Sequence, residues 1–372
     1  MSFLIITHVP HVFKNNEYYA YAPYTNEMNI WIKYFEKIII VAPLKEFEIT
    51  EIHQKYSHNN IKIISIPDFS LINFSNILKT IFVVPVVLFK MIHAFFLAEH
   101  IHLRCPGNIG LLGCFVQIFF SKKIKTAKYA GNWDPKAKQP FSYKFQRWIL
   151  SNTFLTRNMK VLVYGEWANQ PKNIKPFFTA TYKESDKMEF VYKSFSDEIK
   201  FLFVGTLVIG KRPFYAIQII EKLVSLGHNV TLELYGDGIE RDKLANYIKL
   251  NNLENQIFLK GNHNAKTLKE AYNNSHFMIL PSISEGWPKA VAEAMFFGCL
   301  PIATSVSCVP NMLDYGKRGL LLKEEINVDV LLIEELISNQ DLYNDKIKAA
   351  STWSQNYTID KFEKEIQKML LD

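Results

Sequence analysis

Apolar positions along this chain come in continuous blocks separated by helix-length stretches. In the first half, apolar runs at 4–7, 38–42, 61–66, 100–103 and 160–164 have strand length, and segments such as 24–34 and 141–153 have helix length. Unbroken apolar strands suit a parallel sheet covered on both faces. The second half is more regular. Strands are predicted over 200–204, 230–235, 257–259, 276–280 and 300–304. Helices are predicted over 214–226, 241–250, 265–273 and 287–297, with Gly227 and Gly298 as helix stops. Strands alternating with helices predict an α/β chain with doubly wound parallel sheets.

In such sheets, ligands sit beyond the carboxyl ends of the strands. Four loops in the second half stand there: 205–211, 236–238, 261–264 and 281–286. The last carries the densest chemistry. Glu285 and Gly286 precede Pro288, which suits a first helical turn, and Glu293 follows about one and a half turns on. The N–H groups at that helix start form an anion site suited to a diphosphate. A carboxylate at Glu293 could grip adjacent hydroxyls, or pair with Lys289 four residues earlier.

Charge and composition then narrow the picture. The 372 residues suggest two domains. The net charge of +7 is uneven: residues 1–165 carry +10, 166–200 none and 201–372 −3. Four cysteines (105, 114, 299, 308) without a C-x-x-C pair fit a reduced cytoplasmic protein and no structural zinc. Met1 to His8 reads as a buried first strand, not a signal peptide. The apolar stretch 81–98, broken by Pro85, Lys90 and His93, is too short to span a bilayer. A second run, 109–120, is followed by Lys122, Lys123 and Lys125. Both runs read as helices packed on a sheet, or as a face that holds an anionic membrane. No basic-aromatic motif or recognition helix suggests nucleic acid.

The spacing Glu285-x7-Glu293, with Gly286, Trp287, Pro288, Lys289 and Ala290 inside it, resembles the E-x7-E signature of retaining glycosyltransferases of the GT-B type, family 4. The series extends through Gly205, Gly210 and Lys211, through Tyr235 to Gly238, through Lys260-Gly261-Asn262, and through 300–304 with 319–321. It covers about residues 200–325. The resemblance implies two Rossmann-like doubly wound domains facing a cleft: 1–190 on the acceptor side, 191–355 for the nucleotide-sugar, and 356–372 as a helix crossing back. It implies an enzyme moving a sugar from a nucleotide-diphosphate sugar to a glycan or lipid-linked glycan acceptor in bacterial surface polysaccharide synthesis. No further cofactor is implied, and no D-x-D is present for a metal. Glu293 would hold the ribose. Glu285 and the backbone of Gly286, Trp287 and Pro288 would contact the donor sugar. Lys211 would neutralise the diphosphate, and Gly205, Gly236 and Gly261 would line the donor site. The resemblance departs at Thr206, where the family has Arg, and at the first loop, which has histidines and tyrosines in place of a Gly-Gly pair.

On the acceptor side, His8 and His11 are expected in the cleft, with His11 beside Glu285 as a catalytic candidate, and Tyr18 and Arg104 as further candidates. Asp134 reads as a turn residue. Peripheral contact with the inner face of the cytoplasmic membrane is expected of the basic half. Two alternatives remain: a non-catalytic nucleotide-sugar-binding partner of another transferase, and a nucleotide-sugar epimerase on the same fold.

Overall fold

The structure, a computed structural model, describes residues 1–50, 52–67, 74–189, 191–195 and 197–371, with backbone alone for 74–81. Its contacts divide the chain into two compact units, Met1–Phe177 with Glu363–Asp372, and Phe178–Phe362. The join expected at 190/191 falls on a position outside the described residues.

The first unit is built on β1 (Ser2–Ile6), β2 (Val12–Lys14), β3 (Glu17–Tyr21), β4 (Lys37–Ala42), β5 (His53–Lys55), β6 (Ile61–Ser65), β7 (His100–Cys105), β8 (Ile124–Tyr129), β9 (Met159–Tyr164) and β10 (Ile174–Phe177). Its helices are α1 (Ala22–Ile32), α2 (Phe74–Leu97), α3 (Asn108–Val116) and α4 (Phe141–Ser151). Seven strands form a parallel sheet in the order β10-β9-β8-β7-β1-β4-β6. Phe3 to Ile6 and Ile38 to Ala42 are fully buried, as strands covered on both faces must be. The strands β2, β3 and β5 make a separate antiparallel sheet that the apolar pattern does not announce. Its hairpin turns on Asn15-Asn16, both at positive φ (53° and 61°), the conformation of a two-residue I′ turn.

The second unit follows the predicted alternation closely. Its elements are β11 (Ile199–Val204), α5 (Pro213–Ser225), β12 (Val230–Tyr235), α6 (Arg241–Leu250), β13 (Ile257–Gly261), α7 (Ala265–Asn274), β14 (Phe277–Leu280), α8 (Lys289–Phe296), β15 (Leu300–Thr304), α9 (Val309–Met312), β16 (Leu320–Leu322), α10 (Ile326–Ser338) and α11 (Gln340–Ser354). The parallel sheet runs β13-β12-β11-β14-β15-β16. Gly227 and Gly298 end α5 and α8 as read from sequence, each at positive φ. In both, the glycine N–H bonds three residues back and the next N–H five back (His228 to Leu223 at 3.1 Å, Cys299 to Ala294 at 2.8 Å), which is the Schellman pattern. The last helix, α12 (Ile359–Leu371), begins in the second unit, and from Glu363 onward it belongs to the first. There Glu363 pairs with Lys33 at 2.9 Å and Ile366 is fully buried.

Candidate functional site

Each sheet reverses its strand order once. In the second unit the reversal lies between β11 and β14, and in the first between β1 and β7. Loops leaving neighbouring strands at such a point diverge to opposite faces and leave a crevice at the carboxyl ends.

In the second unit the loops after β11 and β14 meet there. The Ile283 N–H donates to the Gly210 carbonyl (2.9 Å), and Lys211 Nζ donates to Glu285 Oε1 (2.5 Å). Glu285 is nearly buried, at 8% exposure, while Lys211 keeps 30%. A cation and a carboxylate are therefore held together at the crevice by two independent loops. The neighbouring loop is pressed onto the first. A Cβ at Gly236 would stand 1.9 Å from the Gly205 carbonyl oxygen, and its φ of 144° already excludes most side chains. Gly236 N–H also bonds the Gly261 carbonyl at 2.8 Å. Gly205, Gly236, Gly261 and Lys211 thus lie on adjoining strand ends, brought together by backbone hydrogen bonds.

The helix after Glu285 starts at Lys289, two residues later than the 287 read from sequence. Pro288 is the residue before the first helical position, with φ −73° and ψ 92°, and α8 begins at Lys289. The expectation that Pro288 occupies the first turn is corrected. The extended ψ at Pro288 turns the chain into the helix, and the first N–H groups of α8 lack intrahelical partners as at any helix start. The carbonyl of Gly286 is fixed by Ser307 Oγ and Cys308 Sγ, each 3.1 Å away. Burial pushes the Cys308 thiol up to about 12, so it stays a donor. Trp287 turns its ring into an aromatic cluster with Trp353 and Tyr357. Glu293, on the second turn of α8, accepts from Thr181 (2.7 Å) and Tyr272 (3.0 Å), one hydroxyl per carboxylate oxygen. Burial first, and then the Glu293 carboxylate, hold the Tyr272 hydroxyl well above the usual phenol range, so it too stays a donor. Each carboxylate oxygen retains a second acceptor direction.

Arg212 does not stand in for the arginine absent at Thr206. Its guanidinium lies over the Tyr215 ring (4.6 Å) and pairs with Glu324 (2.5 Å), while Thr206 is exposed. Ser307, Cys308, Tyr272 and Thr181 escaped the sequence reading. Ser307 and Cys308 follow a strand end, which is the same rule applied once more. The pairing of Glu293 with Tyr272 and Thr181 has no local signal.

The first unit's reversal point is chemically different. His8 is exposed after β1, its ring against Gly107, where a Cβ would approach Nδ1 to 3.2 Å. His11, expected as a catalytic residue open to ligand, is corrected: it is fully buried. Its Nε2 meets the Tyr56 hydroxyl at 2.7 Å, its Nδ1 meets the Val9 carbonyl at 2.8 Å, and its ring stacks on Tyr56. Burial lowers its pKa to about 4, leaving it neutral with both nitrogens engaged. Arg104 is the second-last residue of β7, but its guanidinium is nearly buried against Glu27 (2.6 Å), which also pairs with the buried Lys128 (3.0 Å). Tyr18 lies on the β2–β3 hairpin, its ring on Phe13. Asp134 caps a turn, accepting from the Lys136 N–H (2.8 Å). The four cysteines are free and buried. Among the described residues no helix is long and apolar enough to cross a membrane.

This geometry can be set beside known proteins. Residues 184–353 match the family of glycosyl transferases group 1. The chain is 28% identical over 178 residues to Protein CapJ of Staphylococcus aureus, covering 47% of this chain and 45% of CapJ. It is 28% identical over 141 residues to the Staphylococcus aureus poly(ribitol-phosphate) alpha-N-acetylglucosaminyltransferase, covering 37% and 28%. The chain thus spans about half the length, or less, of these curated relatives. In solved structures, HepE from Anabaena in complex with UDP and glucose matches with a TM-score of 0.70 at 13% identity, over 100% of this chain and 99% of that one. The group 1 match is confined to residues 184–353, and the likeness to HepE, at 13% identity, shows the fold. The matched segment contains every donor-side candidate, from Gly205 to Glu293.

Proposed function

We propose that this protein is a retaining, metal-independent glycosyltransferase that moves a sugar from a nucleotide-diphosphate sugar to a glycan or lipid-linked glycan acceptor in bacterial surface polysaccharide synthesis. The observation that carries the reading is the Lys211–Glu285 pair at the strand-order reversal of the group 1 region. A diphosphate entering this crevice draws Lys211 away from Glu285 and settles against the first N–H groups of α8. Glu285, freed of its partner, accepts from hydroxyls of the donor sugar, beside the fixed backbone of Gly286, Trp287 and Pro288. Glu293 takes the ribose hydroxyls in its remaining acceptor directions. The leaving diphosphate takes the acceptor proton on the same face, so no side chain is required as base. That HepE was solved with UDP and glucose, and that a relative is named for poly(ribitol-phosphate), support a nucleotide-sugar donor and a cell-surface acceptor. The enzyme acts in the cytoplasm, peripherally on the inner face of the membrane, where lipid-linked acceptors are held.

Thermal-shift titration with UDP-, GDP- and TDP-sugars tests the donor assignment, because a ligand bound to the folded state raises the melting point by mass action. One nucleotide-sugar is expected to raise it in the wild type and not in Lys211→Ala or Glu293→Ala. Shifts equal in all three proteins would place the donor elsewhere. Transfer measured with and without chelator is expected to be the same, and its loss on chelation would overturn the metal-independent part. A second reading, a nucleotide-sugar-binding partner without activity of its own, is favoured by one observation: Arg212 is committed to Glu324 and Tyr215. Donor-dependent shifts without turnover on any membrane extract would select it.

A further inference from the structure

At the amino-terminal edge of the first unit's sheet, where β7, β8, β9 and β10 begin, lies a cavity of about 940 Å³. Lys122, Lys125, Arg157, Lys160, Lys172 and Lys175 line it, and among the described residues no carboxylate does. Among the described residues none of the six forms an ion pair with an acidic side chain. Four of them, Lys122, Arg157, Lys172 and Lys175, are exposed. Lys125 is buried, its ammonium donating to the carbonyls of Gln117 and Phe120 (3.2 and 3.0 Å), and burial lowers its pKa to about 8. Six cations converging without a counter-charge among the described residues repel one another, and an anion in their midst relieves that repulsion.

The apolar surroundings narrow the kind of anion. Ile124, in the cavity wall, is 54% exposed. Phe154, between the lining residues Thr153 and Thr156, is 71% exposed, with the Arg157 guanidinium over its ring. Phe119, two residues before the lining Ser121, is 86% exposed. On α2, Phe82, Val86, Phe89, Ile92 and Phe96 are exposed at helical spacing, an outward face that in water would normally be polar. Aromatic side chains beside unpaired lysines suit the boundary between headgroups and acyl chains.

We propose that this cavity binds the phosphate headgroup of an anionic membrane lipid, with Phe119 and Phe154 seated among the acyl chains beside it. It is not part of the donor chemistry. It lies at the opposite end of the sheet from His8 and Arg104, about 20 Å away for six-residue strands. The inference deepens the peripheral reading above, and its readout needs no turnover, so its failure leaves the transferase reading standing.

The test is co-sedimentation of the full chain with vesicles of phosphatidylcholine alone or mixed with phosphatidylglycerol. Wild type is expected to sediment only with the mixed vesicles and to be released by high salt. Arg157→Glu/Lys172→Glu/Lys175→Glu, changing exposed side chains, is expected to bind them about a hundredfold more weakly, since each basic residue near an anionic surface contributes roughly a factor of five. Phe119→Ser/Phe154→Ser is expected to weaken binding while leaving the salt dependence, and both variants should show the wild-type thermal shift with the donor. Equal sedimentation of the triple variant and wild type would overturn the proposal. So would vesicle indifference combined with a melting-point rise in inorganic phosphate (a soluble phosphate ligand) or with heparin binding lost in the triple variant (a polyanionic chain).

Discussion

The two strand-order reversals share a topology and differ in what fills them. In the second unit, the residues at the reversal are backbone, glycine and one half-open ion pair, Lys211 with Glu285. In the first, the corresponding positions are closed by side chains: His11 is buried on Tyr56, and Arg104 and Lys128 are folded onto Glu27. A reversal point makes a crevice available, but only small residues and uncommitted polar groups leave it open. The same loop position therefore holds an open crevice in one unit and a buried polar cluster in the other.

The contrast can be broken most severely at Glu27. Glu27→Gln leaves two buried cations short of their carboxylate, a change that costs about 3–5 kcal/mol when one partner of a buried pair is removed. Calorimetry should show the first unit's transition lowered, with nucleotide-sugar affinity retained. A neutral outcome would mean that the cluster is not structural. The converse variant, Lys211→Ala, is expected to cut turnover about a hundredfold to a thousandfold, in the range seen when one preorganised charge-stabilising donor is removed, with both transitions in place.

Acid sharpens the comparison further. Burial holds His11 and His100 at about 4 and His102 well below its ordinary value, against an unfolded value of 6.5. Between those values the unfolded chain binds more protons than the folded one. Stability is therefore whole above pH 6.5 and falls as the pH drops toward 4, by at most about 3 kcal/mol for each of His11 and His100. In the second unit, burial shifts His276 downward as well. Scanning calorimetry at neutral and mildly acid pH should show the first unit's transition falling more, and parallel shifts would remove the distinction. The smallest effect is expected at Arg212, whose pair with Glu324 is largely solvated and worth less than about 1 kcal/mol. Arg212→Ala should leave donor affinity within about twofold. A large loss would make Arg212 the functional replacement for the arginine missing at Thr206.

Legibility in the sequence followed the same divide. The second unit could be read nearly element by element, because each buried strand is a continuous apolar run followed by a glycine or a polar loop, and Gly227 and Gly298 mark real helix ends. The hairpin of β2 and β3 was missed because its residues mix tyrosine, lysine and asparagine without a clean alternation, although Asn15-Asn16 carried the turn signal. His11 was misjudged for a physical reason. A histidine after a strand end looks alike whether its ring faces solvent or Tyr56, and only the packing of β5 and the residues after it decides. Glu293 was legible as a candidate from its spacing to Glu285, but its partners lie 112 positions upstream and 21 upstream, beyond any local pattern.

The return of α12 to the first unit has a consequence for biosynthesis. A ribosome releases the first 177 residues and then threads the whole of Phe178–Phe362 before Ile366 can fill its place. At roughly 5–20 residues per second, the amino-terminal sheet waits about ten to forty seconds for its final stretch of helix. During that interval the later unit can fold on its own, so the older half of the nascent chain is the last to mature.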